Sequence, residues 1–208
     1  MEQVILRDLK KEDYKYLENI VERTWDFGKY SPPKTATIMA KSYLRSCLIQ
    51  RSFLKVASVD GKAAGIIIGV DHKKSKIYLK EMLMFVFYEF RLLFSKYGIF
   101  ILKFSRKNNE INKELLKETN ISYDGKLEFF VVDESYRGFG IGSKLYNSFL
   151  NFTKKRQINT FFLFTDEECN TLFYEYKGLC RRKTKTLIVP VDNSDKYKMQ
   201  CYIYDNLN

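Results

Sequence analysis

The chain has 208 residues, of which 45% are hydrophobic and 29% charged, and its formal net charge is +11. That apolar content excludes a disordered chain and suits one domain over residues 1–208, while the scattered excess of lysine and arginine suits an anionic ligand or a solvated surface. Four distant cysteines without a CxxC pair, and a single histidine, His72, speak against a structural zinc site and fit buried thiols of a cytoplasmic protein.

The first nine residues, MEQVILRDL, lack the long apolar run of a signal peptide. Residues 4–7 read as a short strand, and Tyr14, Leu17, Ile20 and Val21 then recur at helical spacing. Ser31-Pro32-Pro33 is a breaker that can start the helix expected over 34–50. Two extended runs, 53–59 and 63–70, flank Asp60-Gly61, a strong hairpin signal, although Gly65 and Gly69 weaken the second run.

Residues 77–97 and 105–119 are helical candidates. They form a helical insertion of about 76–120 between the third and fourth strands. Within it, MLMFVFYEFRLLF (82–94) is strongly apolar but falls short of the ~20 residues a bilayer crossing requires. A buried helix is the first expectation, and a homodimer face or a hydrophobic substrate wall are the alternatives. Asp124-Gly125 signals another turn.

Residues 126–132 (KLEFFVV) and 160–165 (TFFLFT) read as strands, and 169–178 as a short helix closed by Gly178. A strand over 179–190, a polar turn over 191–196 and a last strand over 197–207 complete the chain. The order favours α/β layering of the α+β kind. The densest basic runs, 154–157 and 180–185, come without a reading helix or an aromatic strand motif, so specific nucleic-acid binding is not expected.

Between the strand at 126–132 and the amphipathic stretch that follows lies SYRGFGIGS. A Walker A loop and a dinucleotide fingerprint both require glycine where Ser143 stands, and both fail. What remains is Arg137 followed by Gly138, Gly140 and Gly142. Glycines allow a sharp turn and close approach to a ligand, the amides of the turn and helix start can converge on one anion, and Arg137 adds a forked cation. On these residues alone, a tight surface turn stays open.

The pattern V-x-x-x-Y-R-G-x-G-I-G-x-x-L, carried by Val132, Tyr136, Arg137, Gly138, Gly140, Ile141, Gly142 and Leu145, resembles the acetyl-CoA-binding motif of the GNAT acetyltransferase superfamily. Residues 165–179 are similar to that family's segment ending F-Y-E-x-x-G-F, with Leu179 in place of phenylalanine and Asn170 nearer the tyrosine than in many members. The resemblance covers about 126–190. It implies a mixed, mostly antiparallel central sheet flanked by helices, with acetyl-CoA as cosubstrate. The pyrophosphate would be held by Arg137, Gly138, Phe139, Gly140, Ile141, Gly142 and Ser143. The pantetheine arm would lie in a gap between strands beside Val131 and Val132, with Asn170 near it. Tyr174 would serve as general acid, and the Val132 amide as oxyanion donor. The implied acceptor is a primary amine of a small molecule or peptide, attacked directly through a tetrahedral intermediate.

Glu128 is the candidate base. It interrupts an apolar strand, and period-two alternation places it on one face with Phe130 and Val132 unless a bulge intervenes. Trp25, Asp26, Phe27 and Tyr30 sit where the family's N-terminal helices line the acceptor site, with Asp26 available to a cationic amine. Cys169 has no nearby histidine and is not expected to be a nucleophile. A non-catalytic coenzyme A-binding regulatory domain would share the turn without a working acid and base.

Overall fold

A computed structural model describes residues 4–190 and 196–207. The chain runs through β1 (Ile5–Arg7), α1 (Asp13–Thr24), α2 (Phe27–Tyr30), α3 (Pro33–Ile49), β2 (Gln50–Arg51), β3 (Phe53–Val59), β4 (Lys62–Asp71) and β5 (Lys76–Ile77). It continues through α4 (Leu79–Leu92), α5 (Lys96–Thr119), β6 (Gly125–Val132), a 3-10 turn (Glu134–Tyr136), α6 (Ile141–Arg156), β7 (Phe161–Asp166), α7 (Thr171–Tyr176), β8 (Cys180–Pro190) and β9 (Lys196–Asp205). The polar turn expected over 191–196 lies almost wholly outside the described residues.

Asp60 and Gly61 both take positive φ, 48° and 80°. That backbone twist closes a two-residue hairpin, and it pairs β3 with β4. The sheet order is β1-β3-β4-β6-β7-β9-β8, antiparallel throughout except between β6 and β7. The strand β4 is apolar nearly end to end because both of its faces are covered. On one face Ile67 and Leu127 pack against Ile141, Leu145, Tyr146 and Phe149 of α6. On the other, Ile66, Ile68, Phe129 and Val131 pack against α1 and α3 through Leu17, Ile20, Leu44 and Leu48. Gly69 serves close packing: a Cβ there would lie 2.6 Å from the Phe149 ring.

The helical insertion between β4 and β6 consists of α4 and α5, but the break between them falls at 93–95, earlier than expected. Ser95 is the cap of α5, its hydroxyl accepting from the Gly98 N–H at 3.4 Å. Gly98 is needed because a Cβ there would come within 2.1 Å of the Leu92 carbonyl oxygen. α5 packs on β8 and β9, where Leu115 meets Leu187, Met199 and Ile203. The turn expected at Asp124-Gly125 is a bend at Asp124. β6 starts at Gly125, and the Asp124 carboxylate accepts from the Asn159 and Thr160 amides.

The expected buried helix over 82–94 is also corrected. Only the inner side of α4 is covered, by α3. There Glu81 accepts from Arg45 at 2.8 Å and from the Tyr14 hydroxyl at 2.7 Å, and Glu89 accepts from Ser42. Tyr88 and Leu92 are buried on this side, while Leu83, Val86, Phe87 and Phe90 are exposed on the other. No described helix is long and apolar enough to cross a membrane.

Candidate active site

The strands β6 and β7 pair only at their start, Gly125 with Phe161 and Lys126 with Phe162. Beyond that point β7 follows β9 and β6 follows β4, so the two strands part. The edge of β6 that faces the gap has no strand partner from Leu127 onward. The Asp133 N–H donates to the Ala64 carbonyl at 2.9 Å. Antiparallel alternation then turns the Val131 backbone groups toward β4 as well, and a Cβ on Gly65 would lie 2.7 Å from the Val131 oxygen. The open edge therefore belongs to Val132 and Phe130. The backbone pairing expected of Val131 is already spent on β4.

At the end of β6, Asp133 is held by the Ser135 amide and hydroxyl, at 3.1 and 2.6 Å, and by Arg23 at 2.6 Å. Burial alone would raise the Asp133 pKa, but these donors outweigh it and hold the carboxyl below its ordinary range. The turn that follows uses Gly138 and Gly140 at φ of 84° and 75°. Gly140 caps α6 without a side-chain cap, and the first helical bond runs from the Lys144 N–H to the Gly140 carbonyl. Before it, the Arg137 N–H is satisfied by Glu134. The six amides between, from Gly138, Phe139, Gly140, Ile141, Gly142 and Ser143, have no acceptor among the described residues. They sit at the positive end of a sixteen-residue helix. Arg137 is exposed beside them, with no carboxylate partner among the described residues.

A residue that sequence reasoning missed joins this turn. The Lys177 ammonium donates to the Ser143 hydroxyl at 3.1 Å and lies over the Phe173 and Tyr176 rings. Its only sequence signal is its place just before Gly178.

α7 starts after Asn170, whose exposed side chain makes no capping bond. It closes at Gly178 with φ of 81°, where the Leu179 N–H donates to the Tyr174 carbonyl at 3.0 Å. Glu175 anchors the helix by accepting from the Tyr204 hydroxyl at 2.7 Å and from Arg181 at 3.2 Å. That anchoring orients Tyr174. The Tyr174 ring lies edge-on to Phe173, with centroids 5.7 Å apart, and its hydroxyl has no hydrogen-bond partner among the described residues. Burial raises the Tyr174 pKa well above an ordinary phenol, and the neighbouring Cys169, Tyr146 and Asp166 add to the effect.

Glu128 is a bulge residue. The register passes from Ile68 opposite Phe129 to Gly69 opposite Leu127, which leaves Glu128 unpaired with β4. The bulge reverses the alternation: Leu127 packs with Phe130 and Val132 toward α6, whereas Phe129 and Val131 point toward α1 and α3. The expected common face of Glu128, Phe130 and Val132 is therefore corrected. Glu128 pairs with Lys126 at 2.7 Å; burial raises the pKa of Tyr43 and Cys47 of α3, and the Glu128 charge adds to the effect.

Beside Glu128, Trp25 stacks on Phe129 with centroids 5.8 Å apart and leans on Tyr43 at 5.0 Å. Phe27 packs into the same core, and Asp26 is exposed in a left-handed conformation with φ of 46°. The Tyr30 side chain lies outside the described residues. Across the gap, burial raises the Asp166 pKa. Burial, with Asp166 beside it, pushes the Cys169 thiol up to about 12, so it stays protonated. The His72 Nδ1 lies 2.9 Å from the Tyr123 carbonyl and serves the fold. The basic runs are spoken for in part: Arg181, Arg182 and Lys185 pair with Glu175, Asp205, Glu114 and Glu118. Lys154, Lys155 and Arg156 occupy the last turn of α6, where the helix dipole favours cations.

Residues 106–175 match the acetyltransferase (GNAT) family. No curated protein sequence matches the chain significantly. Among solved structures, the chain is similar to the ribosomal-protein-S18-alanine N-acetyltransferase from Escherichia coli, with TM-score 0.50 and 13% identity over 98% of this chain and 92% of that one. An N-acetyltransferase from Staphylococcus aureus Mu50 gives TM-score 0.51 and 15% identity, over 98% of this chain and 97% of that one. The PaiA N-acetyltransferase from Thermoplasma acidophilum, solved in complex with coenzyme A, gives 0.50 and 14%, over 99% of each. The segment that matches the GNAT acetyltransferase family contains both the glycine turn and Tyr174, and the fold agrees with those N-acetyltransferases along nearly the whole length of the chain.

Proposed function

We propose that the protein transfers the acetyl group of acetyl-CoA to a primary amine of a small molecule or peptide, by direct attack of the amine. The observation that carries this reading is the run of six unsatisfied amides, 138–143, at the mouth of the gap between β6 and β7. Such a donor set fits a diphosphate, with Arg137 and Lys177 adding positive charge. The open edge of Val132 and Phe130 fits an extended, amide-bearing arm, as an added strand would use it. Asn170 stands at the start of α7 on the far side of the same gap. When bound, acetyl-CoA supplies an activated thioester acyl group.

The chain's own residues divide the remaining work. Glu128 takes the proton from the incoming ammonium, directly or through water, with Trp25, Tyr43 and Phe129 as an aromatic wall beside it. The Val132 N–H faces the gap and is available to an oxyanion. Tyr174 holds its proton through neutral pH and releases it to the departing thiolate. Cys169, kept as a thiol, takes no covalent part.

Calorimetry with acetyl-CoA, followed by thiol release across a panel of amines, tests the reading. Tight uptake with turnover of at least one amine is the expected result. No uptake overturns the site, and uptake without turnover of any amine makes the protein a coenzyme A-binding regulator.

A further inference from the structure

We propose that the outer face of α4 docks on an anionic phospholipid surface. Leu79, Leu83, Val86, Phe87 and Phe90 fall within an arc of about 100° on this helix, and Phe94 extends the stripe into the following turn. These six side chains are 50–78% exposed, with Phe94 the most exposed of the six. Together they present on the order of 500 Å² of contiguous apolar surface, the scale at which such a patch marks an interaction site.

The charges around the stripe choose the occupant. Lys74 and Lys76 precede α4, Lys80 and Arg91 border the arc, and Lys96 follows the turn; all five are exposed. None has a carboxylate partner among the described residues. Arg91 and Lys96 instead lie over the Phe87 and Tyr97 rings of the same surface. Both carboxylates of α4 turn the other way: Glu81 engages Arg45 and Tyr14, and Glu89 engages Ser42. The face is therefore apolar, with cations along one flank and at both ends. A second copy seated on this face would offer these cations no carboxylate of α4, since both are engaged inward. A bilayer carrying anionic headgroups satisfies both features at once, the apolar stripe entering the acyl boundary and the lysines meeting phosphate. The helix lies on such a surface and does not cross it. The inner contacts of α4 with α3 already fix which side faces out, so no rearrangement is needed.

The test is co-sedimentation of the full chain with vesicles of one part phosphatidylglycerol to two parts phosphatidylcholine, beside vesicles of phosphatidylcholine alone, at low and high salt. Binding to the anionic vesicles is expected, at least ~10-fold weaker on the neutral ones and weaker at high salt. The double variant Phe90→Ser/Phe94→Ser and the triple variant Lys80→Gln/Arg91→Gln/Lys96→Gln are each expected to lower binding at least ~10-fold. All these residues are exposed, and unchanged circular dichroism and acetyl-CoA uptake in the variants confirm that the fold survives. Wild-type protein that stays in the supernatant with anionic vesicles overturns the proposal, as does equal binding to neutral vesicles. A stable dimer in analytical ultracentrifugation that the double variant dissociates, with no vesicle binding, reassigns the face to self-association.

Discussion

The Lys177 ammonium and the Ser143 hydroxyl are 3.1 Å apart, and this one bond ties the helix that carries Tyr174 to the turn that carries the unsatisfied amides. The ammonium stands at the start of α6 and has no acid partner there, so its charge adds to the helix dipole at the proposed diphosphate site. Lys177→Met is expected to raise the Kd for acetyl-CoA about 3- to 10-fold, which corresponds to roughly 1 kcal/mol, and to flatten the dependence of binding on salt. Calorimetry at two salt concentrations reads both effects. An unchanged Kd removes Lys177 from the site.

Two glycines of the same turn should respond in opposite directions. Gly140 has φ of 75°, and a side chain there is strained by about 1–2 kcal/mol. Gly142 is helical, and a Cβ would meet Phe130 and Phe173 at ordinary contact distances, 3.5 and 3.6 Å. Gly140→Ala is expected to lower the stability of the ligand-free protein by about 1–2 kcal/mol, and Gly142→Ala to raise it by about 0.5–1 kcal/mol. Urea denaturation of both variants checks the pair, and equal effects would show that the turn is held by something other than backbone conformation.

The parts of this molecule that could be read from sequence are those where local chemistry decides. Asp60-Gly61 dictates a hairpin because few residue pairs adopt positive φ twice, and the Arg137–Gly142 spacing dictates a turn into a helix. The bulge at Glu128 was not readable, because a bulge is a relation between two strands and only the register with β4 reveals it. The same holds for Val131: its apolar side chain resembles that of Val132, and only the Asp133–Ala64 bond shows which backbone faces the gap. The break between α4 and α5 did leave a signal, Ser95 three residues before Gly98, hidden by the apolar run on both sides. The exposed side of α4 was beyond reach, since apolar residues all around a helix read as core until the neighbours are seen.

Tyr174 has a raised pKa because it is partly buried and faces Cys169, Tyr146 and Asp166. As the acid it should remain competent throughout the neutral and mildly alkaline range, so no loss of kcat from its ionisation is expected below about pH 10. Tyr174→Phe is expected to lower kcat about 10²-fold while leaving acetyl-CoA affinity within about twofold. Steady-state rates and calorimetry on one preparation separate the two. A lower affinity with unchanged kcat would make Tyr174 a packing residue.

Glu128 pairs with Lys126 at 2.7 Å on the aromatic side of β6. If it removes the proton from the acceptor, its loss matters most where the amine is still protonated. Glu128→Gln is expected to lower kcat/KM about 10²-fold near neutral pH and to recover progressively as pH rises toward the pKa of the amine. A pH profile parallel to that of the wild type would rule out the base role and leave a structural one.

The last prediction concerns stability. Asp13 is completely buried at the start of α1, where burial by itself would raise its pKa. Two Arg7 N–H groups at 2.6 and 2.8 Å and the Lys10 amide at 2.8 Å outweigh that cost and hold the carboxyl below its ordinary range. A carboxyl depressed in the fold binds fewer protons there than in the unfolded chain. Its stabilisation is therefore fully present above about pH 4 and is lost as pH falls through the lower folded value. Asp124 and Asp133 are depressed too and steepen the wild-type curve in the same window. Asp13→Asn isolates the first group: it leaves Arg7 without its carboxylate and is expected to cost about 2–4 kcal/mol at pH 7. In urea titrations from pH 7 down to strongly acid conditions, the gap between wild type and variant should narrow below about pH 4. A gap that stays constant across that range would mean that the Arg7 contact contributes through packing and not through charge.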